Sequence, residues 1–315
     1  PLWPATWVAV GTFDGVHVGH QRILRQAVAE AGGATPIALT FHPHPQAVVG
    51  GGAPPALTTL ADRFACMEAL GVRCTVCLRF DRVLAQLPAE EFVETVLVQG
   101  LAARGVVVGY NFRFGHRAQG SPELLEQLGQ RHGFAVRVVA PVQVDGEVVS
   151  SSLVRRRLLA GQVEEAARLL GRPFRLPGRV VRGDGRGRQL GFPTANVAPD
   201  LELLVPGEGV YRARLKPQDG PALPAVAVIS SRPTFAGGAL ALEVHVLDFN
   251  GDLYGQRVDV EFLDRLRGIV RFGSAAELRR QIEADVALAR RRFAAGPAAG
   301  EPTAPPCGSS PVSAG

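Results

Sequence analysis

The chain has 315 residues, a length that favours two domains, and its formal net charge of +5 comes almost wholly from arginine, because Lys216 is the only lysine. No apolar run reaches the ~18 residues of a membrane span, and no basic segment precedes an apolar signal core, so the sequence predicts a cytoplasmic protein without a membrane partner. Four cysteines are too few for a disulfide framework, and a modest positive charge without a basic arm argues against a nucleic-acid partner.

The first half of the chain alternates short apolar runs with amphipathic segments. We predict strands in five apolar runs, which read WVAV, PIALTF, RCTVCLRF, RGVVVG and AVRVVAPV in chain order. Apolar residues spaced about 3.6 apart predict helices between them, in HQRILRQAVAEAG, ADRFACMEALG, PAEEFVETVLVQG and SPELLEQLGQRHG, the last with Ser121 as its N-cap. This alternation predicts a parallel sheet covered by helices on both faces.

The second half begins with a helical pattern and continues as strands. One helical stretch is predicted in SSLVRRRLLAGQVEEAARLLGR, ending near Gly171. An antiparallel barrel or sandwich is predicted by the strand patterns GRVVRG, GVYRARL, PAVAVIS, ALEVHVLDF and RVDVEFL. An Asn-Gly pair at 250–251 predicts a tight hairpin between the last two of these. Ser274 and Glu277 predict the capping box of a closing helix.

The stretch GTFDGVHVGHQ, residues 11–21, lies between the first predicted strand and the first predicted helix. A helix that begins after a parallel strand offers free backbone N–H groups and a partial positive charge, which suit phosphate. Gly11 and Gly19 would allow a ligand to approach closely, and His17 and His20, one helical turn apart, would donate hydrogen bonds to phosphate oxygens. The alternative is a polar turn without a ligand. A P-loop is excluded here, because it needs a lysine.

This stretch resembles the H-x-G-H signature of the nucleotidyltransferase superfamily, and the chain resembles the prokaryotic bifunctional riboflavin kinase/FAD synthetases. Further motifs follow in the order typical of that family: TFHPHP (40–45), GYNFRFG (109–115), SSSLVR (150–155), GRQLGFPTAN (187–196), GVY (209–211), RPTF (232–235) and LEVHVLDF (242–249). The ordered set is much more specific than H-x-G-H alone, and the resemblance covers nearly all of residues 8–293.

The resemblance implies an α/β Rossmann-like nucleotidyltransferase domain over residues 1–171 and an antiparallel β-barrel domain with a C-terminal helix over residues 172–293. Residues 294–315 have too little apolar surface to pack and are expected to be a disordered tail. The barrel would phosphorylate riboflavin to FMN with ATP, and the first domain would adenylylate FMN to FAD with release of pyrophosphate. Mg²⁺ is the implied cofactor and ATP the co-substrate of both steps.

In the first domain the resemblance implies three catalytic residues, His17, His20 and Arg155. They would position the phosphates and neutralise the charge that develops on the α-phosphate and the leaving pyrophosphate. Arg155 would replace the lysine that related enzymes use, because its planar fork can donate two hydrogen bonds to a phosphate; otherwise it is an ordinary arginine on a capped surface helix. Residues expected to bind the nucleotide or the flavin are Gly11, Phe13, Asp14, Gly19, Asn111, Arg113, Ser151 and Ser152.

In the second domain a glycine-rich loop follows the first predicted strand. Gly183, Gly187 and Arg188 are expected to bind phosphate there, since free backbone N–H groups of such a loop can surround an anion. Glycines in a β domain more often serve turns, so the loop alone is weak evidence. Thr194 and Asn196 in FPTAN offer the hard oxygen ligands that Mg²⁺ prefers, and by resemblance to riboflavin kinases they hold Mg-ATP.

A kinase that phosphorylates an alcohol also needs a carboxylate near the hydroxyl. Glu243 is the candidate, because it alternates with the apolar Leu242 and Val244 and is therefore expected on the opposite face of its strand. In the resembling family the matching glutamate is the base toward the ribityl hydroxyl, whereas the alternative is a solvated strand residue. Arg232 and Arg267 are expected to line the ATP and flavin sites.

Two other functions are open at this stage. An adenylyltransferase whose second domain only binds flavin would leave Thr194, Asn196 and Glu243 inert on mutation. A regulatory protein that binds nucleic acid or flavin would cluster its arginines with aromatic residues on one face, yet aromatics make up only 6% of the chain. The expected small-molecule partners are riboflavin, FMN, ATP, FAD and pyrophosphate, and the sequence leaves the oligomeric state open.

Overall fold

The structure is a computed structural model, and the residues it describes are 3–183, 187, 190–200, 202–231 and 240–296. The chain folds into two compact units that adjoin in sequence between Ser150 and Ser151. The helical stretch before Gly171 therefore belongs to the second unit by packing, while residue 171 as a boundary between functional domains stays a prediction. Arg188, Arg232 and the expected tail beyond residue 296 lie outside the described residues.

Five parallel strands form the sheet of the first unit, as the sequence predicts. They are β1 (Thr6–Val10), β2 (Thr35–His42), β3 (Cys74–Arg79), β4 (Ala103–Gly109) and β5 (Ala135–Val139), in the spatial order β3-β2-β1-β4-β5. The central strand β1 is buried along its whole length, which explains its uninterrupted apolar sequence. Trp7 and Ala9 pack on one side of the sheet, and Val8 and Val10 pack on the other.

Helices cover both faces of this sheet, which confirms the predicted layers. They are α1 (Val18–Glu30), α2 (Pro45–Val49), α3 (Leu60–Ala69), α4 (Arg82–Gln86), α5 (Ala89–Phe92) and α6 (Pro122–His132). Three smaller elements complete the unit: a π-helical continuation of α5 (Val93–Gly100), a 3₁₀ turn (His116–Ala118) and a hairpin of β6 (Gln143–Val144) and β7 (Glu147–Val148). Ser121 is the N-cap of α6, as predicted, and accepts the N–H of Leu124 at 3.3 Å.

The second unit begins with two helices, α7 (Ser151–Leu159) and α8 (Val163–Leu170). The prediction of one continuous helix is wrong here. Gly161 adopts a φ of +72° between the two, a conformation that helical residues do not take and that turns the chain. Gly171, at a φ of +70°, ends α8 where the sequence predicts the end of the helical stretch.

Six antiparallel strands then close into a barrel. They are β8 (Phe174–Val181), β9 (Ala195–Pro199), β10 (Gly209–Pro217), β11 (Leu223–Ser231), β12 (Leu240–Val246) and β13 (Arg257–Arg267), in the closed order β10-β11-β12-β9-β8-β13. A final helix, α9 (Ala275–Ala294), has Ser274 as its N-cap and packs Val286 and Ala289 against the barrel. Within the described residues no helix has both the length and the apolar character needed to cross a membrane.

The predicted Asn-Gly hairpin at 250–251 is wrong. β12 and β13 are not neighbours, because β9 and β8 stand between them in the barrel. The connecting segment instead reaches β8, where Val180 O accepts the N–H of Gly255 and Val180 N–H donates to Gln256 O, both at 2.9 Å. Barrel closure sets this pairing through contacts distant in sequence, which a two-residue turn signal does not report.

Candidate functional site

The junction of β1 and α1 brings His17 and His20 together. His17 is the N-cap of α1, and its Nδ1 accepts a hydrogen bond from the backbone N–H of His20 at 3.2 Å. The two rings stack with centroids 3.6 Å apart and an interplanar angle of 17°. Because Nδ1 of His17 accepts, the proton of its neutral ring lies on Nε2, and donation from Nε2 to a ligand stays a prediction.

Two glycines of the motif make room for aromatic rings. A Cβ at Gly19 would lie 3.1 Å from the His17 ring, and a Cβ at Gly11 would lie 3.0 Å from the Phe13 ring. Phe13 is fully buried and meets His20 edge-on, with ring centroids 5.3 Å apart. These residues therefore pack the histidines, a role that the sequence analysis did not assign, and their contact with a ligand stays a prediction.

The environment of His20 keeps its imidazole neutral. Burial lowers the pKa of His20 well below its usual 6.5, and the nearby His17 and Arg63 lower it further. Nδ1 of His20 is inaccessible to solvent and has no hydrogen-bond partner among the described residues. His20 is therefore uncharged at pH 7 in the free protein, and a polyphosphate bound beside it would favour the protonated form.

A buried ion pair fixes the backbone just before His17. Asp14 is 1% exposed; its carboxylate accepts the N–H of Leu57 at 3.1 Å and the hydroxyl of Thr58 at 3.3 Å. The guanidinium of Arg63 donates to Asp14 at 3.3 Å and to the carbonyl of Thr12 at 3.0 Å. Asp14 thus anchors the turn between β1 and α1, and the nucleotide contact expected of it stays a prediction.

Arg63 was not among the residues predicted from the sequence. Its signal is a charged residue one turn before Cys66 and Met67, on the buried side of α3. Because it is 7% exposed and contacts the carboxylate of Asp14, its positive charge is compensated inside the unit. Breaking a buried ion pair by removing one partner is costly, which gives Arg63 a measurable structural role.

Replacing Arg63 by Met is expected to lower the free energy of unfolding of the first unit by about 3–5 kcal/mol, since the carboxylate of Asp14 would lose its buried cation. Trp3 and Trp7 are the only tryptophans, so urea unfolding followed by tryptophan fluorescence reports on this unit. Arg25→Met, at an exposed arginine of α1, is the matched control. A shift no larger than that of Arg25→Met would contradict the prediction.

The turn after β4 brings Asn111 and Arg113 to the same sheet edge as the histidine motif. β4 pairs with β1 in parallel, so the carboxyl ends of the two strands are adjacent. Ligands of open parallel sheets bind at this edge. The Arg113 guanidinium donates to the carbonyl of Phe112 at 3.0 Å. The nucleotide or flavin contacts of Asn111 and Arg113 stay predictions.

Except for Ser150, which is the last residue of the first unit before the chain crosses over, the SSSLVR motif lies on α7 in the second unit. It contributes Ser151, Ser152 and Arg155 from the first turns of that helix. Near its carboxyl end the barrel unit holds the helix, where the carbonyl of Leu158 accepts the N–H of Gly207 at 2.9 Å. The role of these three residues in adenylyl transfer stays a prediction.

Three side chains predicted for the kinase site come together on the barrel. Glu243 stands directly opposite Asn196 in the β12–β9 pair, and the Thr194 hydroxyl lies 3.5 Å from Oε2 of Glu243. Leu242 and Val244 are buried on the inner face, whereas Glu243 between them is half-buried. Glu243 therefore lies on the outer face of the barrel, in one cluster with Thr194 and Asn196.

Gly183 and Gly187, which precede this cluster in sequence, lie close to its residues. A Cβ at Gly183 would lie 2.1 Å from Nδ2 of Asn196. A Cβ at Gly187 would lie 2.4 Å from the carbonyl oxygen of Phe192 and 3.1 Å from Oγ1 of Thr194. At Gly187 a Cβ would collide with backbone, so only glycine fits there, whereas at Gly183 it would displace the end of the Asn196 side chain. The backbone at Gly187 thus lies where an N–H group could meet a phosphate next to Thr194.

The donor atoms of this cluster fit a magnesium ion. A hydroxyl from Thr194, an amide oxygen from Asn196 and the carboxylate of Glu243 are hard oxygen ligands, and Mg²⁺ uses one or two such protein ligands together with phosphate and water oxygens. Groups of three or more His, Cys, Asp or Glu placed to hold a metal are absent from the described part of the chain. A metal in the barrel would accordingly be shared with a bound nucleotide.

A cavity of about 620 Å³ opens beside Thr194. Arg182 and Tyr254 line it, with the guanidinium 6.0 Å from the ring centroid, so the cavity offers a cation and an aromatic face. Residues 249–254, which include the Asn-Gly pair that was predicted to form a hairpin, form part of its wall. The sequence patterns did not predict these lining residues.

Arg267 has a structural partner. Its Nε and NH2 donate to the two carboxylate oxygens of Asp285 on α9, at 3.0 and 2.7 Å, and Asp285 is buried. The guanidinium also lies 5.9 Å from the ring centroid of Phe272. Arg267 thus joins β13 to α9, and its contact with ATP or flavin stays a prediction.

Comparison with known proteins separates the chain into the same two parts. A family model for FAD synthetase matches residues 2–153, and a family model for riboflavin kinase matches residues 170–293. A crystal structure described as a macrolide-efflux protein from Streptococcus pneumoniae has 32% sequence identity and a TM-score of 0.84, covering 91% of this chain and 94% of that one. The same arrangement of strands and helices therefore recurs in a solved structure.

Several similar proteins are named bifunctional riboflavin kinase/FMN adenylyltransferase, and each aligns with this chain over most of its own length. The protein from Pseudomonas fluorescens is 44% identical over 89% of this chain and 91% of its own length. Those from Escherichia coli K12 and Bacillus subtilis are 38% and 35% identical, each over 91% of this chain and 92% of its own length. With both family models matched in order, the chain belongs to the bifunctional riboflavin kinase/FMN adenylyltransferase family.

Proposed function

We propose that this chain makes FAD from riboflavin in two ATP-dependent steps. The barrel phosphorylates riboflavin to FMN, and the α/β domain adenylylates FMN to FAD and releases pyrophosphate. Family membership supports both activities. The observation that carries the kinase assignment is the cluster of Thr194, Asn196 and Glu243, of which Thr194 also lines a cavity of about 620 Å³.

In the kinase step the terminal ribityl hydroxyl attacks the γ-phosphorus of ATP. A new O–P bond forms, the bond from the γ-phosphorus to its bridging oxygen breaks, and ADP leaves. Glu243 accepts the hydroxyl proton, and Thr194, 3.5 Å from its carboxylate, orients it. The loop backbone at Gly183 and Gly187, with Arg188 and Arg232 from outside the described residues, would bind the phosphates.

Thr194 and Asn196 would hold Mg²⁺ together with phosphate oxygens of ATP, and the bound ion would neutralise phosphate charge. The side chains are fixed independently of it. Asn196 belongs to the β9 ladder, and its partner residue Glu243 belongs to β12. Glu243 therefore faces the metal ligands without a rearrangement of the strands.

In the adenylyl-transfer step a phosphate oxygen of FMN attacks the α-phosphorus of ATP. The bond between the α-phosphorus and the β-bridging oxygen breaks, pyrophosphate leaves, and no bond to the protein forms. His17 donates from Nε2, and His20 gains a proton as the triphosphate binds, so charge on the leaving group is neutralised. Arg155, with Ser151 and Ser152, completes the set of donors to the phosphates.

The cytoplasm is the proposed location. Cys74 and Cys77 are free, half-buried thiols on β3. Burial raises the pKa of both thiols, which makes them less reactive as nucleophiles. They therefore serve the packing of the strand.

The function is tested by incubating the purified protein with riboflavin, ATP and MgCl₂ and resolving FMN from FAD by chromatography over time. FMN is expected to appear first and FAD to follow. FAD formed only from added FMN would support an adenylyltransferase with a flavin-binding second domain. Formation of neither product would contradict both assignments.

Arg155→Ala is expected to reduce FAD synthesis from FMN and ATP by about 10–100-fold, because a charge-assisted contact to a phosphate contributes roughly 1.5–3 kcal/mol. Arg155→Lys keeps the charge but loses the two-pronged geometry, so it should restore activity only in part. Arg156→Ala, at an exposed neighbour on α7, is the matched control. Unchanged FAD synthesis in Arg155→Ala would make this segment an ordinary capped helix.

A further inference from the structure

His245 contacts the metal-binding segment directly from β12. Its Nδ1 lies 2.8 Å from the carbonyl oxygen of Pro193, the residue before Thr194. A carbonyl oxygen only accepts, so Nδ1 of His245 is the donor in this bond. The ring also meets Phe192 edge-on, with centroids 5.6 Å apart. One side chain of β12 therefore holds the two residues that precede Thr194.

This side chain replaces a strand pairing that the backbone cannot make. The ladder between β12 and β9 ends at the pair of Val244 and Ala195. β12 continues to Val246, but the opposing residues beyond Ala195 are no longer part of β9. Pro193 has no N–H with which to extend the ladder. The hydrogen bond from His245 thus ties this end of the loop to β12, next to the contact between Thr194 and Glu243.

The hydrogen bond between His245 and Pro193 lies between two parts of the proposed kinase site, Gly187 on one side and the contact of Thr194 with Glu243 on the other. Phe192 closes the glycine-rich loop, because its N–H donates to the carbonyl of Gly187 at 2.8 Å. On the other side Thr194 follows Pro193 and contacts Glu243, which stands two residues before His245 on the same face of β12. Displacing the Pro193 carbonyl would therefore move Phe192 and Thr194 together, while the ladders of β12 keep Glu243 in place.

We propose that His245 is a positioning residue of the kinase reaction, which through its bond to Pro193 sets Thr194 and, by way of Phe192, the backbone of Gly187 for Mg-ATP. This inference rests on the proposed riboflavin kinase activity. Thr194 binds Mg-ATP in the ground state as well as in the transition state, so losing its alignment weakens binding of the nucleotide more than it slows the chemical step.

The test compares His245→Leu, which removes the donor, with His245→Asn, whose Nδ2 stands at the same number of bonds from Cα as Nδ1. Steady-state riboflavin phosphorylation is measured at varied ATP in excess MgCl₂. His245→Leu is expected to raise KM for ATP about three- to tenfold, the loss of one hydrogen bond, with kcat within about twofold of wild type. His245→Asn should recover most of the wild-type KM.

A purely structural role would instead reduce kcat per mole of protein with an unchanged KM, because it would lower the folded fraction. Equal KM values for wild type and His245→Leu would overturn the inference, as would a KM in His245→Asn as high as in His245→Leu, which would assign the effect to ring packing against Phe192. A wild-type protein that forms no FMN would overturn the proposed kinase function together with this inference. FAD synthesis from added FMN should be unchanged in both variants, because the proposed adenylyl-transfer residues His17 and His20 lie in the first unit.

Discussion

Replacing His17 and His20 together by Ala is expected to abolish FAD synthesis from FMN and ATP while riboflavin phosphorylation continues. Removing one preorganised donor from a site of developing charge costs about 10²–10³ in rate, so the loss of two exceeds detection in a standard assay. The two half-reactions are measured separately, with FMN and FAD resolved by chromatography. His132→Ala, at the end of α6 in the same unit, is the matched control.

The capping role of His17 requires a second control for this prediction. His17 also caps α1 through Nδ1, and loss of an N-cap costs about 1 kcal/mol of stability. His17→Asn keeps an acceptor for the His20 N–H but removes Nε2, so it separates the cap from the donor to the phosphate. If His17→Asn retained full FAD synthesis, His17 would be a capping residue only. Loss of both activities in a folded double variant would refute a separate adenylyl-transfer site.

Secondary structure was predictable where its cause is local. WVAV is apolar without interruption because β1 is buried on both faces, and Ser121 precedes a helix because its side chain caps it. The break at Gly161 was missed, since strong helix-forming residues lie on both sides and the glycine acts only through its positive φ. The predicted hairpin at 250–251 was wrong because its cause is not local: barrel closure determines the partners of β13.

The site residues, too, were predictable from the sequence only where their contacts are local. His17 and His20 are close in sequence, so their spacing alone predicted that they meet. Arg63 and His245 act on residues 49 and 52 positions away, and no spacing rule predicts such contacts. Glu243 lies between these cases: strand alternation gives its face, but only the register of β12 against β9 brings it to Asn196.

Glu243→Gln is expected to reduce FMN formation by about 10²–10⁴-fold, because a glutamine amide keeps the size and hydrogen-bonding capacity of the side chain but cannot accept the hydroxyl proton. ATP and riboflavin binding should stay close to wild type, and FAD synthesis from added FMN should be unaffected. Steady-state kinetics of each half-reaction and calorimetric titration of each ligand measure these quantities. Glu261→Gln, at another half-buried strand glutamate of the barrel, is the matched control.

Comparing Thr194→Ala with Glu243→Gln distinguishes a residue that binds Mg-ATP from a residue that acts as the base. Thr194→Ala removes the hydroxyl that lies 3.5 Å from Glu243 and that we propose contacts Mg-ATP, so it should raise KM for ATP as well as lower kcat. Glu243→Gln, by contrast, should lower kcat with little change in KM, since proton transfer occurs only in the transition state. If Glu243→Gln phosphorylated riboflavin at the wild-type rate, Glu243 would be a solvated residue on the outer face of the barrel, and the proton would have to leave the ribityl hydroxyl to phosphate or water.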